Sequence, residues 1–149
     1  IFNDRISFFG NIFKNDDLLK ALELADYVVV VTPLTPETKD LFGEKEFKAM
    51  PENCYFINIA RGHVVQDEAL LKALKEGWIR GAALDAFREE PLPADSPLWQ
   101  APNLIITPHL AGRSPFYMKR AMEIFKHNLE VYYTGEGEML NVVNLERGY

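Results

Sequence analysis

The sequence predicts an α/β fold, a doubly wound parallel sheet, on three observations. Short apolar, β-prone runs alternate along the chain with segments whose leucines and alanines recur at helical spacing. Each of those runs is apolar throughout, not alternating, which is the pattern of a strand covered on both faces. No internal repeat or low-complexity tract interrupts the alternation.

Taken in order, NDDLLKALELAD reads as a helix capped by Asn15 or Asp16, and it feeds directly into the strand YVVVVT. After Pro33, PLTPETKDLFG is a loop and EKEFKAM a short helix. CYFINIA is the second strand. Asp67 is placed to cap the helix EALLKALKEG, which Gly77 closes, and GAALDA follows as the third strand. Beyond the proline-rich link EEPLPADSPLWQAPN, LIIT is a fourth strand. Ser114 with Pro115 then opens a long amphipathic helix running to about Thr134.

Composition narrows the function. The chain has 149 residues, 48% of them hydrophobic, enough apolar material for one core. With 22 acidic against 16 basic residues the net charge is −6, so neither nucleic acid nor an anionic membrane is an expected partner. The single cysteine, Cys54, can form no internal disulfide and reads as a core residue. Three scattered histidines give no paired metal-ligand spacing, so no metal site is expected. The apolar run around YVVVV falls far short of the ~18 residues that suggest a membrane span, and a cytoplasmic location is expected.

In an open parallel sheet, ligands bind beyond the carboxyl ends of the strands. The residues there are Thr32 and Pro33, Ala60 and Arg61, Asp85, and His109. An arginine directly after the apolar run CYFINIA is the oddest of them.

PLTPET, INIARG, AALDAFREEPLP and LIITPHLAG resemble, in order and spacing, the signature blocks of the D-isomer-specific 2-hydroxyacid dehydrogenases. The resemblance implies a Rossmann-type nucleotide domain and hydride transfer between a nicotinamide cofactor and C2 of a 2-keto or 2-hydroxy acid. It implies Arg61, Glu90 and His109 as the catalytic trio. Each residue type suits its task. A guanidinium matches a carboxylate in two-point fashion and stays charged. An imidazole can give a proton in one direction and take it back in the other. Glu90 would orient that imidazole, and Asp85 would lie beside the nicotinamide. The plainer readings are a salt-bridged Arg61, a solvated Glu90, a loop His109 and an Asp85 that caps the turn after its strand. His63 reads as a loop-surface residue and His127 as a helix-face residue.

Some positions depart from the family pattern. Gln66 stands where aspartate is usual, and Ala86 where valine is common. No G-x-G-x-x-G turn is present, so the fold is expected to be incomplete, lacking its first strand and glycine-rich turn. Residues 1–111 are expected to form a partial dinucleotide-binding domain, and 112–149 an interdomain helix and tail returning toward an absent substrate domain. Such a piece alone is expected to be inactive. The resemblance implies NAD as cofactor, with NADP left open because Asn3, Asp4 and Arg5 stand near the deciding position in unfixed register. Expected contacts are Thr32, Pro33 and Thr38 on the adenosine side, with Ala60, Arg61, Asp85, His109, Ala111 and Gly112 toward the nicotinamide. A small 2-keto or 2-hydroxy acid is the expected partner, and the full-length protein a homodimer. The competing class is an NAD(H)-sensing module of corepressor type. Formate or phosphite oxidation on the same fold is a third.

Overall fold

The computed structural model describes residues 13–14 and 17–146. The expected caps Asn15 and Asp16, like Asn3, Asp4 and Arg5, lie outside the described residues. The elements run α1 (Leu18–Leu22), β1 (Tyr27–Val30), α2 (Glu44–Ala49), β2 (Tyr55–Asn58), α3 (Asp67–Glu76), β3 (Gly81–Leu84), β4 (Leu104–Ile106) and α4 (Tyr117–Thr134), with single 3-10 turns at Gly62–Val64 and Pro97–Gln100. The four strands form one parallel sheet in the order β1-β2-β3-β4. Register aligns Val30, Asn58 and Leu84, so the loops after these strands leave from one edge. This is the predicted Rossmann-like α/β arrangement.

The core explains the pattern. Phe47 of α2, Leu70 and Leu74 of α3 and Leu22 of α1 pack on Val30, Phe56 and Leu84. Phe56 meets Phe42 and Phe47 with ring centroids 5.0 Å away in each case, edge to face, and this fixes the loop before α2 against β2. Cys54 is fully buried, as expected of a core residue, and burial pushes its thiol up.

The opposite face differs from the expectation of cover on both sides. Tyr27 is 66% exposed, Val29 51% and Ile105 65%, and these residues share that face through the register Val29–Ile57–Ala83–Ile105. The helices α1 to α3 all join the one cluster on the other face, and α4 has no buried residue. Continuous apolarity in β1 is therefore not matched by burial on both faces within the described chain.

Helix ends repeat this mix. Gly77 closes α3 at φ 72°, the left-handed region a glycine enters without strain. Asp67, however, is the first helical residue and not the cap. Gln66 precedes it in extended conformation, and its side-chain amide donates instead to Asp40 O at 3.1 Å. At α4, Ser114 stays outside the helix, where its hydroxyl accepts from Phe116 N–H at 3.2 Å and its carbonyl from Tyr117 N–H at 3.1 Å. The helix starts at Tyr117 because these bonds make a turn, with helical geometry only after it.

Candidate active site

The loop after β1 is closed on itself. Thr38 Oγ1 donates to Pro33 O at 2.7 Å and accepts from Thr35 N–H at 2.8 Å. Thr32, Pro33 and Thr38 line a cavity of about 860 Å³ together with Val30 and Leu22.

After β2, an unforeseen residue sets the chain direction. Asn58 is fully buried at the end of the strand; its Oδ1 accepts from Ala60 N–H and its Nδ2 donates to Arg61 O, both at 3.0 Å. The sequence signal was a lone amide in an otherwise apolar run, a group that must find partners when buried. Ala60 is buried, and its N–H is already bonded to Asn58. Arg61 is exposed, with Nη1 donating to Ala60 O at 2.7 Å. Gly62 then lies directly on the next loop, since a Cβ there would sit 1.9 Å from Phe87 C and 2.3 Å from Arg88 N. Both are backbone atoms that cannot swing aside. Gly62→Ala is expected to destabilise the protein by about 3 kcal/mol or more, read as a drop in the denaturant midpoint.

After β3, Asp85 is 5% exposed and acts as a clamp. Its Oδ1 accepts from Thr107 Oγ1 at 2.5 Å and Leu110 N–H at 2.8 Å, and its Oδ2 from Ala111 N–H at 2.7 Å. Burial opposes ionisation, but these three bonds outweigh it and hold the carboxyl below its ordinary value. It caps the loop after the neighbouring strand β4, not the turn after its own. The stabilisation it provides is complete above the ordinary carboxyl range and is lost as pH falls through the lowered folded value. Asp85→Asn places an amide N–H against a backbone N–H, which should cost about 2–4 kcal/mol. Unfolding curves across pH should show a weaker acid-side loss in this variant, and an unchanged acid limb would refute the clamp.

That loop presents His109. The residue is held at φ 53°, with its N–H on Thr107 O at 3.0 Å. Its Nδ1 lies 2.7 Å from Glu90 Oε2, while Glu90 Oε1 accepts from Phe87 N–H at 2.9 Å. The bond to His109, then that from Phe87, hold the Glu90 carboxyl below its ordinary value against the opposing effect of burial. Arg61, Asp85, His109 and Gly112 line a second cavity of about 790 Å³, which Tyr117 and Met118 of α4 also border.

The structure thus brings Arg61, Asp85, His109 and Gly112 to one cavity, places Glu90 on His109, and sets Thr32, Pro33 and Thr38 at the other. Ala60 and Ala111 line neither; their N–H groups are bonded to Asn58 and Asp85. Outside this edge, His127 Nε2 lies 3.0 Å from Glu138 O and joins α4 to the segment after it. No helix among the described residues is long and apolar enough to cross a membrane.

Fold and site together define a Rossmann-like domain with an arginine, a carboxylate and a histidine at the carboxyl edge of its sheet. Residues 5–111 match the family model of the D-isomer specific 2-hydroxyacid dehydrogenase, NAD binding domain. The chain belongs to the D-isomer specific 2-hydroxyacid dehydrogenase family. It is 46% identical over 120 residues to a glyoxylate reductase of Thermofilum pendens, covering 80% of this chain and 35% of that protein. A D-isomer specific 2-hydroxyacid dehydrogenase from Xanthobacter autotrophicus Py2, solved in complex with NADPH and MES, superposes with a TM-score of 0.83 at 40% identity, over 93% of this chain and 56% of that one. The NAD complexed form of the enzyme from Lactobacillus delbrueckii ssp. bulgaricus gives 0.78 at 31% identity, over 93% and 45%. The chain spans less than half the length of the glyoxylate reductases it matches, 35% of that from Thermofilum pendens and 46% of that from Korarchaeum cryptofilum.

Proposed function

We propose that the intact protein carrying this chain interconverts a small 2-keto acid and its D-2-hydroxy acid by hydride transfer with a nicotinamide dinucleotide. The observation that supports this most is the 2.7 Å contact of His109 Nδ1 with Glu90 Oε2, at a cavity that Arg61 shares.

The residues suit such a nucleotide. One cavity runs from α1 and the body of β1 up to the loop after β1, and the other lies beside Arg61 and His109 at the carboxyl edge, so an extended two-part ligand could reach from one to the other. Thr32, Pro33 and Thr38 would meet the adenosine side, and Gly112, where a Cβ would meet no protein atom within 4 Å, leaves room at the other. The bound nucleotide supplies the hydride that adds to C2. Arg61 holds the substrate carboxylate, one arm of its guanidinium being fixed by Ala60 O. Because Glu90 engages Nδ1, Nε2 is the nitrogen left to serve the cavity, and it delivers the proton to the carbonyl oxygen as hydride reaches the carbon. One hydride and one proton convert the keto acid to the hydroxy acid; in reverse, neutral Nε2 takes the hydroxyl proton. His109 in its left-handed conformation and the Asp85 clamp keep that nitrogen in place before substrate arrives.

NAD is our reading of the cofactor, with NADP open, since relatives are seen with each. In the same reading, residues 112–149 form an interdomain helix and tail, supported by the absence of any buried residue on α4, and the intact protein is a cytoplasmic homodimer. The test is absorbance of the reduced nicotinamide on mixing the intact protein with glyoxylate, pyruvate or hydroxypyruvate. Nucleotide binding without turnover of any of them would replace this reading with a sensing module.

A further inference from the structure

Three loops leave the sheet edge with different tasks in the proposed reaction, and they meet at a residue that touches neither cavity. Asp40 sits at φ 55°, a left-handed position in the loop after β1. Its N–H donates to His63 O at 2.8 Å, on the turn that follows Arg61, and its carbonyl accepts from Gln66 Nε2 at 3.1 Å. Its carboxylate pairs with Nη2 of Arg88. Arg88 lies in the loop after β3, between Phe87, whose N–H holds Glu90 Oε1, and Glu90 itself.

We propose that Asp40 and Arg88 are a pair of positioning residues, joining the loop that carries Thr38 to the turn that carries Glu90, so that the nucleotide loop and the Glu90–His109 pair are set together. The inference rests on the reading under Proposed function for what those loops bind.

The position of Arg88 depends on this pairing. Its Nε is buried with no hydrogen-bond partner, so the ion pair to Asp40 is the polar anchor of the side chain. Asp67 at the start of α3 also acts on the cation, with Glu68 and His63 nearby, and Glu89 and Asp95 line the same cleft as Arg88. Burial pushes the Asp67 carboxyl up, and Arg88 is the strongest influence pulling it down. If Asp40 loses its charge, Arg88 keeps an acid close to it in Asp67, but that acid stands on α3 and not on the nucleotide loop. Charge neutralisation and fold are retained while the link between the loops is lost. Neither residue touches a site cavity, so any effect on binding or proton transfer travels through the loops.

The test uses the intact protein with Asp40→Asn, Arg88→Gln and the double variant. Asparagine tolerates the left-handed backbone, so the first substitution removes the charge without adding strain. Two quantities are read: the dissociation constant of the reduced nicotinamide nucleotide by its fluorescence, and the pH at which the keto-acid reduction rate falls to half. Each single variant should weaken nucleotide binding about five-fold and move the pH midpoint toward acid, as a modest coupling between sites would. The double variant should be no worse than the weaker-binding single, because both remove one link. Unchanged binding in the singles, effects that multiply in the double, or a lower melting temperature with both readouts unmoved would each overturn the inference. The binding measurement needs no turnover, so its outcome is separable from that of the keto-acid reading.

Discussion

Arg61→Lys in the intact protein is expected to lower kcat/KM for a 2-keto acid about 100-fold although the positive charge is kept, the size of effect that a 1 Å misplacement at a reacting centre produces. The reason is geometric. Arg61 leaves β2 through a turn fixed on both sides, by Asn58 Nδ2 on its carbonyl and by Gly62 lying on the Phe87–Arg88 peptide. One guanidinium nitrogen donates to Ala60 O, which restrains the planar fork on one side. A carboxylate gripped at two points by that plane has its C2 carbonyl directed in one orientation. Lysine offers a single, rotatable point of charge on a flexible stem and leaves the carboxylate free to turn. Much of the loss should appear in kcat, because orientation matters most where hydride and proton must arrive together. Full activity in the lysine variant, measured by oxidation of the reduced nicotinamide, would return Arg61 to a salt-bridging or loop-holding part.

The same residues show what the sequence could and could not reveal. The alternation of elements was legible because it depends on local patterns: YVVVV, CYFINIA, GAALDA and LIIT each became a strand, and Gly77 ended α3 in the conformation that glycine permits. Arg61, Glu90 and His109 stood out because charged groups follow apolar runs and the blocks around them resemble a family. What was not legible depends on contacts between loops distant in the chain. Asp85 was expected beside the nicotinamide or capping its own turn; that it clamps residues 107–111 follows only once β3 and β4 are paired. Gly62 is required by the backbone of residues 87 and 88, which no local pattern announces. Gln66 and not Asp67 is the residue before α3, and its amide reaches Asp40, 26 residues away, instead of capping the helix. The bare face of the sheet is the converse case, since an apolar run in the sequence states what a strand could bury and not what covers it.

The second large effect concerns Glu90 and His109, and its sign can be worked out. His109→Ala should remove most activity in both directions, about 10²–10⁴-fold, the usual contribution of a positioned acid or base. Glu90→Gln is the more informative change. The Glu90 carboxyl is held below its ordinary value first by its bond to His109 and then by that from Phe87 N–H. Glutamine keeps the shape without the charge. If its oxygen goes on accepting from Phe87 N–H, its amide hydrogens face Nδ1, where an imidazolium also presents a hydrogen. If it turns over, Phe87 N–H loses its acceptor. In either arrangement the negative charge beside the ring is gone, so a cationic ring loses its counter-charge, and a one-unit displacement of a pH profile corresponds to about 1.4 kcal/mol. Reduction needs the protonated ring, so its rate should begin to fall at lower pH in the variant. Oxidation needs the neutral ring, so its rise from the acid side should move in the same direction. Reduction and oxidation profiles of Glu90→Gln that keep the wild-type midpoints, with chemistry shown to limit the rate, would break the link between the two side chains and leave Glu90 a solvated residue of the turn before Pro91.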